Sequence, residues 1–170
     1  MNEEIVFLSE KLGAALLSRK ATVTAAESCT GGGVASAITA IAGSSQWFHY
    51  GYVTYANHAK QKILDVPMAL LQLEGAVSES VVRSMVEGAA QRAEADFAIA
   101  ISGIAGPSGG SAEKPVGTVC FAWLGPQGIG SARYQLSGDR NEVREQSIKI
   151  SLQQLLHHVT ECTTVHPYSK

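Results

Sequence analysis

The sequence of 170 residues contains no apolar run long enough to cross a membrane and no run of lysines or arginines. Its 13 lysines and arginines are offset by 15 aspartates and glutamates, which leaves a formal net charge of −2 at pH 7. Non-specific nucleic-acid binding requires a basic face, and a secretory signal peptide requires a basic start, whereas this chain begins Met-Asn-Glu-Glu. The sequence therefore predicts neither a membrane nor a nucleic acid as a partner.

Cysteine is also scarce, with three residues at widely spaced positions, Cys29, Cys120 and Cys162. An odd number at this spacing is typical of neither a disulfide framework nor a zinc knuckle, and indicates free thiols in a reducing compartment. The histidines near the end of the chain lack the spacing of metal ligands. We therefore expect a cytoplasmic protein without a metal site.

The rest of the composition is that of a globular protein, with 45% hydrophobic and 16% charged residues. A chain of this length can build one substantial core. No repeat or linker divides it, so we expect a single domain over residues 1–170, in which residues 163–170 form a frayed tail.

Helical and extended patterns alternate along the chain, which predicts an α/β fold with helices on both faces of one sheet. Strands are predicted at residues 22–26, 47–55, 97–101, 116–124 and 131–136. The glycine-containing turn at residues 125–128 indicates a hairpin, so the sheet should be mixed. The first helix is predicted at residues 3–19, and the second along a face formed by Val34, Ile38 and Ile41. Two short helices are predicted, one after an N-cap at Asn57 and one from Pro67 to Gly75. Two longer helices should begin after Ser78 and after a capping box formed by Asp139 and Glu142.

The most informative stretch is the glycine-rich turn at residues 27–33, which joins a β-prone run to a helical pattern. The first turn of a helix carries unpaired backbone N–H groups at a positive dipole end, so this turn is typical of an anion site. It also carries the hydroxyl of Ser28, a candidate nucleophile. The alternative is a turn whose glycines only let a helix pack closely on the sheet, since the spacing matches neither the lysine-bearing phosphate loop nor the dinucleotide fingerprint.

A second candidate group is Lys60. If a helix begins at Asn57, Lys60 shares a face with Leu64, while Lys62 points away. Desolvation lowers the pKa of a lysine and can make it a base. Tyr55 could then hydrogen-bond the amine or relay a proton. The alternatives are a lysine stem that packs while its ammonium reaches solvent, and a tyrosine that is purely structural.

A second glycine-rich loop spans residues 102–110 and offers a backbone rim to a ligand. Lys114 follows this loop and is expected to be a loop cation near an anionic ligand. Arg140 could also reach an anion; the alternative is that its side chain is simply solvated at the start of a helix. Cys29 is a rival nucleophile, because a thiolate at a helix N-terminus would be activated, but the default interpretation is a small buried packing residue.

Five stretches occur in a fixed order, namely 26–32 (AESCTGG), 55–60 (YANHAK), 75–78 (GAVS), 102–110 (SGIAGPSGG) and 114–118 (KPVGT). Together they resemble the CinA C-terminal domain family over about residues 5–160. The resemblance implies a three-layer α/β/α sandwich, a homodimer and no metal or other cofactor. It also implies hydrolysis of the carboxamide of nicotinamide mononucleotide (NMN) to nicotinate mononucleotide and ammonia, in pyridine-nucleotide salvage.

By the same resemblance, Ser28 would be the nucleophile, Lys60 its base and Tyr55 a helper. The N–H groups of the first turn would hold either the oxyanion or the 5′-phosphate, and the second loop would hold the nucleotide. A nucleotide-binding regulator without turnover remains the alternative. The residues expected to bind substrate are Cys29, Thr30, Gly31, Gly32, Asn57, Gly103, Ala105, Gly106, Gly109, Gly110 and Arg140.

Overall fold

The computed structural model describes residues 2–162, which form a five-stranded mixed sheet and six α-helices. The predicted tail at residues 163–170 lies outside the described residues. The strands are β1 (Val23–Glu27), β2 (Phe48–Val53), β3 (Phe97–Gly103), β4 (Thr118–Gly125) and β5 (Gly128–Gln135). The helices are α1 (Glu3–Arg19), α2 (Gly33–Thr39), α3 (Asn57–Leu64), α4 (Met68–Glu74), α5 (Glu79–Ala93) and α6 (Arg140–Glu161).

The sheet has the strand order β2-β1-β3-β4-β5. The first three strands are parallel, whereas β4 and β5 run antiparallel to their neighbours. The hairpin predicted at residues 125–128 joins β4 to β5, so the prediction of a mixed sheet is confirmed.

Helices cover both faces of this sheet, which confirms the predicted α/β/α layers. One core contains side chains of α1, α2 and α6 packed on large residues such as Ile99 and Phe121. The other contains side chains of α3, α4 and α5 packed on small residues such as Ala100 and Ala122. Gly88 on α5 lies against the Leu64 carbonyl of α3, where a β-carbon would clash, so the two helices approach closely.

Most predicted helix boundaries are confirmed. Ser78 caps α5 by accepting the Val81 N–H, and Asp139 forms a capping box with Glu142 at the start of α6. The predicted cap at Asn57 is wrong by one residue, because Ala56 is the N-cap and Asn57 begins α3. No helix among residues 2–162 combines the length and the apolar character needed to span a bilayer.

Three predicted elements are too long. The helix predicted to include Ile41 ends at Thr39. The strand predicted over residues 47–55 covers only Phe48–Val53, because the carbonyls of Thr54 and Tyr55 leave the sheet and accept hydrogen bonds from a lysine side chain. The strand predicted from residue 116 begins at Thr118, after Gly117 turns the chain with φ +91°.

The path of the chain creates a crevice at one edge of the sheet. The chain passes from β1 to β2 through α2 on one face, and from β2 to β3 through α3, α4 and α5 on the other. The carboxyl ends of β1, β2 and β3 therefore meet where the winding direction reverses. In open α/β sheets this switch point is the usual place for a ligand.

Candidate active site

A cavity of about 230 Å³ opens at the switch point. It lies beside the carboxyl ends of the three parallel strands, which is where loops can expose polar groups on a rigid scaffold. Its walls combine the first glycine-rich turn, the start of α3, the second glycine-rich loop and the start of α6. The lining residues are Ser28, Cys29, Tyr55, Asn57, Lys60, Ala76, Val77, Ser102, Gly103, Ala105 and Arg140.

Ser28 and Lys60 meet in this cavity, with Lys60 Nζ 3.0 Å from Ser28 Oγ. Ser28 directly follows β1, and its N–H donates to the Ile101 carbonyl of β3, so the sheet fixes its backbone. Lys60 projects from the inner face of α3 and is 1% exposed. This is the inward orientation that its helical spacing from Leu64 predicts. The two residues are 32 positions apart in the chain and are in direct hydrogen-bond contact.

Lys60 Nζ has two further partners, the carbonyl oxygens of Thr54 at 2.8 Å and Tyr55 at 3.2 Å. Neither ion pair found among residues 2–162 involves this lysine. Burial disfavours its charged form and lowers the pKa of Lys60 from 10.5 to about 8.

The three partners suit a neutral lysine that accepts a proton from the serine. Carbonyl oxygens can only accept hydrogen bonds, so the two N–H bonds of a neutral amine go to Thr54 and Tyr55. The charged form of Lys60 donates to Ser28 Oγ as well, whereas in the neutral form the remaining lone pair of the nitrogen accepts a hydrogen bond from the Ser28 hydroxyl. This is the arrangement of a nucleophile beside its general base.

The structure corrects the role predicted for the N–H groups of the first turn. The buried carboxylate of Glu27 already accepts hydrogen bonds from Gly32, Val34 and Ala35 at 2.8–3.0 Å. The Gly31 N–H is also engaged, by the Ser28 carbonyl. The start of α2 therefore holds an internal anion, and a ligand does not reach Gly31 N–H or Gly32 N–H without displacing these bonds.

Two N–H groups of this turn, those of Cys29 and Thr30, donate to no other residue within residues 2–162. Cys29 lines the cavity, whereas Thr30 is fully buried and does not. Both residues directly follow Ser28 in the chain. The backbone N–H after a nucleophile is a common donor to a developing oxyanion.

Arg144 of α6 also contacts this turn. Its Nε and Nη2 donate to the carbonyls of Cys29 at 3.2 Å and Thr30 at 3.1 Å. Sequence reasoning gave no role to Glu27 or Arg144. Glu27 was a charged residue ending a buried strand, which is an unusual position, and Arg144 lies one helical turn beyond Arg140.

Tyr55 and Arg140 form a pair at the mouth of the cavity. Arg140 donates to the Gly106 carbonyl at 2.8 Å and to the Tyr55 hydroxyl at 3.1 Å. The expected hydrogen bond between the Tyr55 hydroxyl and the Lys60 amine is not what the structure shows, since Tyr55 contacts Lys60 through its carbonyl and its side chain is 60% exposed.

The second glycine-rich loop contributes only in part to the cavity. Gly103 and Ala105 line it, whereas Gly109 and Gly110 are not among its lining residues. A second cavity of about 360 Å³ adjoins the first and shares Ala105 and Arg140 with it. Lys114, predicted as a cation near an anionic ligand, lines neither of these cavities, and its Nζ donates to the Glu74 carbonyl.

Cys29 is poorly suited to act as the nucleophile. Burial raises the pKa of its thiol to about 12, so the thiolate is rare at neutral pH. No group of three or more metal-ligating side chains occurs within the part of the chain that the structure describes.

Comparisons with known proteins identify the family of the chain. The model of the CinA C-terminal domain matches residues 6–159. The chain is similar to the nicotinamide-nucleotide amidohydrolase PncC of Escherichia coli (strain K12), at 55% identity over 155 residues, or 91% of this chain and 94% of that protein. It is also similar to the nicotinamide-nucleotide amidohydrolase PncC of Pseudomonas putida, at 50% identity over 159 residues, or 94% and 99% of the two chains.

The fold is that of a solved protein as well. The crystal structure of the competence/damage inducible protein CihA from Agrobacterium tumefaciens superposes with a TM-score of 0.91 at 38% identity, covering 95% of this chain and 98% of that one.

Proposed function

The chain belongs to the CinA C-terminal domain family, and we propose on that premise that it is an amidohydrolase acting on NMN. The products are nicotinate mononucleotide and ammonia, which places the enzyme in pyridine-nucleotide salvage. The observation that carries the proposal is the buried contact of 3.0 Å between Lys60 Nζ and Ser28 Oγ. The relatives of 50–55% identity named for this reaction support the choice of substrate.

The first half of the reaction forms an acyl-enzyme. Neutral Lys60 accepts the hydroxyl proton while Ser28 Oγ attacks the carboxamide carbon of NMN. The carbonyl oxygen becomes an oxyanion, for which the N–H group of Cys29, directly after Ser28 at the cavity wall, is the backbone donor. Lys60 then gives its proton to the departing nitrogen, the C–N bond breaks, and ammonia leaves.

The second half repeats these steps with water. Lys60 takes a proton from the water as its oxygen attacks the ester carbon. The ester bond to Ser28 breaks, and Ser28 Oγ takes the proton back from Lys60. Nicotinate mononucleotide is released with Ser28 and Lys60 in their starting forms, so no metal or redox cofactor enters the balance.

The arrangement of the two cavities supports the orientation of the substrate. The carboxamide and pyridine ring occupy the cavity of about 230 Å³ that contains Ser28. The ribose 5′-phosphate extends past Arg140 toward the adjoining cavity of about 360 Å³. Arg140 is the cation shared by both cavities and is the ligand we propose for the phosphate.

Replacing Arg140 by glutamine should therefore raise the KM for NMN by about 10–100-fold, because a hydrogen bond to a charged group contributes about 1.5–3 kcal/mol. The KM for nicotinamide riboside, which has the same amide and no phosphate, should change by less than about threefold. Ammonia release from the two substrates and from nicotinamide, by wild type and Arg140→Gln, is the measurement.

This comparison also tests the function itself. Ammonia released by the wild type from NMN in preference to nicotinamide supports the proposal. Tight NMN binding without ammonia release would instead support the non-catalytic nucleotide-binding regulator. An equal rise of KM for NMN and the riboside would refute the phosphate contact while leaving the amidohydrolase intact.

We further propose a cytoplasmic homodimer. The three cysteines are free thiols, which suits a reducing compartment. Strand β2 is an edge strand, and its side chains Tyr50 and Val53 are 54% and 49% exposed. Edge strands with exposed apolar side chains are typical of surfaces that a partner covers.

A further inference from the structure

Two charged side chains hold the turn after Ser28. The Glu27 carboxylate accepts hydrogen bonds from the N–H groups at the start of α2. The Arg144 guanidinium donates to the carbonyls of Cys29 and Thr30. The acidic side chain binds only donors and the basic side chain binds only acceptors, so together they fix which way each peptide group of the turn points.

The Arg144 contact has a direct consequence for the Thr30 N–H. The Cys29 carbonyl and the Thr30 N–H belong to the same planar trans peptide, in which C=O and N–H point in opposite directions. Because Arg144 binds the Cys29 carbonyl at 3.2 Å, the Thr30 N–H is directed away from α6. The second contact, to the Thr30 carbonyl at 3.1 Å, fixes the next peptide, whose N–H closes the turn onto the Ser28 carbonyl.

We infer that Arg144 is a positioning residue for the reaction, acting through the turn to orient the Cys29 N–H toward the oxyanion. The Gly31 N–H, whose peptide Arg144 fixes, binds the Ser28 carbonyl, and that carbonyl shares a trans peptide with the Cys29 N–H. Cys29 lines the cavity that contains Ser28, whereas Thr30 is fully buried. The inference rests on the proposed function, in which that oxyanion forms on the NMN carboxamide. Arg144 is separated from Thr30 by 114 positions in the chain and does not line the cavity that contains Ser28. It therefore acts on the backbone and does not touch the substrate.

An arginine suits this role better than a lysine. Its planar guanidinium presents Nε and Nη2 in a fixed geometry, so two successive carbonyls are bound at once. A lysine carries one nitrogen on a flexible stem. It would retain the charge but lose the simultaneous contact with both peptides.

The test compares Arg144→Ala and Arg144→Lys with Arg19→Ala. Arg19 is a matched control, because its guanidinium also donates a hydrogen bond to a backbone carbonyl, that of Thr160 at 3.1 Å. This contact lies near the end of α6, away from the cavity. We expect Arg144→Ala to lower kcat for NMN by about 10²-fold, as for loss of one oxyanion donor, with KM changed by less than about threefold. Arg144→Lys should lose about tenfold, and Arg19→Ala should retain wild-type kcat.

Two readouts separate positioning from a merely structural role. Added guanidinium ion should restore part of the kcat of Arg144→Ala, and the pH dependence set by Lys60 should be unchanged in each variant. Wild-type kcat in folded Arg144→Ala would overturn the inference. If Arg144→Ala does not fold, full kcat in Arg144→Lys would overturn it equally.

A third readout does not depend on turnover. The backbone amide resonance of Cys29 should shift in Arg144→Lys and stay in place in Arg19→Ala. An unshifted Cys29 amide would refute the positioning role even in an active enzyme. Absence of ammonia release by the wild type, with a shifted Cys29 amide, would instead refute the proposed function and leave the contact established.

Discussion

Ser28→Ala is expected to lower kcat/KM for ammonia release from NMN by about 10³-fold or more. The variant lacks the oxygen that attacks the amide, and removal of one member of a nucleophile–base pair disables the pair as a unit. The backbone of the site should persist, because it is held by the Ser28 N–H bond to the Ile101 carbonyl, which does not involve the side chain. Binding of NMN should therefore stay within about threefold of wild type, measured by calorimetry beside the ammonia assay.

Ser36→Ala is the matched control for this variant. Ser36 lies on α2, a few residues after the same turn, and its side chain is exposed. It should keep wild-type activity. If Ser28→Ala kept a tenth or more of the wild-type rate, Ser28 would not be the nucleophile. Loss of activity on thiol alkylation in that variant would then reopen the case for Cys29.

The second large effect is expected for Lys60→Met, which removes the base and retains an apolar stem of similar length. The loss in kcat/KM should again be about 10³-fold, and Ser28→Ala combined with Lys60→Met should be little worse than either alone. Lys62→Met is the control, since Lys62 is an exposed lysine on the same helix. Equal losses in Ser28→Ala and Lys60→Met that multiply in the double variant would show that the two residues do not act together.

The pH dependence follows from the pKa of Lys60, lowered by burial to about 8. Only the neutral amine accepts the Ser28 proton, so kcat/KM for NMN should rise about tenfold per pH unit below pH 8 and level off above it. A rate that is constant from pH 6 to pH 9 would contradict a lysine base.

The free energy of unfolding should also depend on the protonation of Lys60. Between pH 8 and pH 10.5 the unfolded chain keeps the proton that folded Lys60 has lost, so the free energy of unfolding should rise with pH in this window. The rise attributable to Lys60 should be about 3 kcal/mol and absent from Lys60→Met, by denaturant titration of both proteins at each pH.

Local features of this fold could be predicted from the sequence because neighbouring residues determine them. The hairpin at residues 125–128, the cap at Ser78 and the capping box at Asp139 depend on a few adjacent positions. The inward orientation of Lys60 followed from helical spacing alone. The strand at residues 47–55 was predicted too long because the signal that ends it, the lysine bonded to Thr54 and Tyr55, lies on the following helix.

The finer geometry of the candidate site could not be predicted in this way. The glycine-rich turn indicated an open anion site, but the anion that fills the start of α2 is the preceding residue, Glu27. The Arg144 contact joins positions 114 apart and depends on where α6 packs against the sheet. Nothing in the spacing of either stretch fixes that placement, because it results from the packing of the whole core.

The most direct test of the account is whether an acyl intermediate on the enzyme lies between NMN and its products. Hydroxylamine, added during turnover, would attack the ester carbon, break the bond to Ser28 and form the hydroxamate of nicotinate mononucleotide. If acylation limits the rate, the total rate of ammonia release should be independent of hydroxylamine while the product shifts from acid to hydroxamate, and Ser28→Ala should form neither. No hydroxamate at any concentration, or hydroxamate formed equally by Ser28→Ala, would contradict nucleophilic catalysis by Ser28.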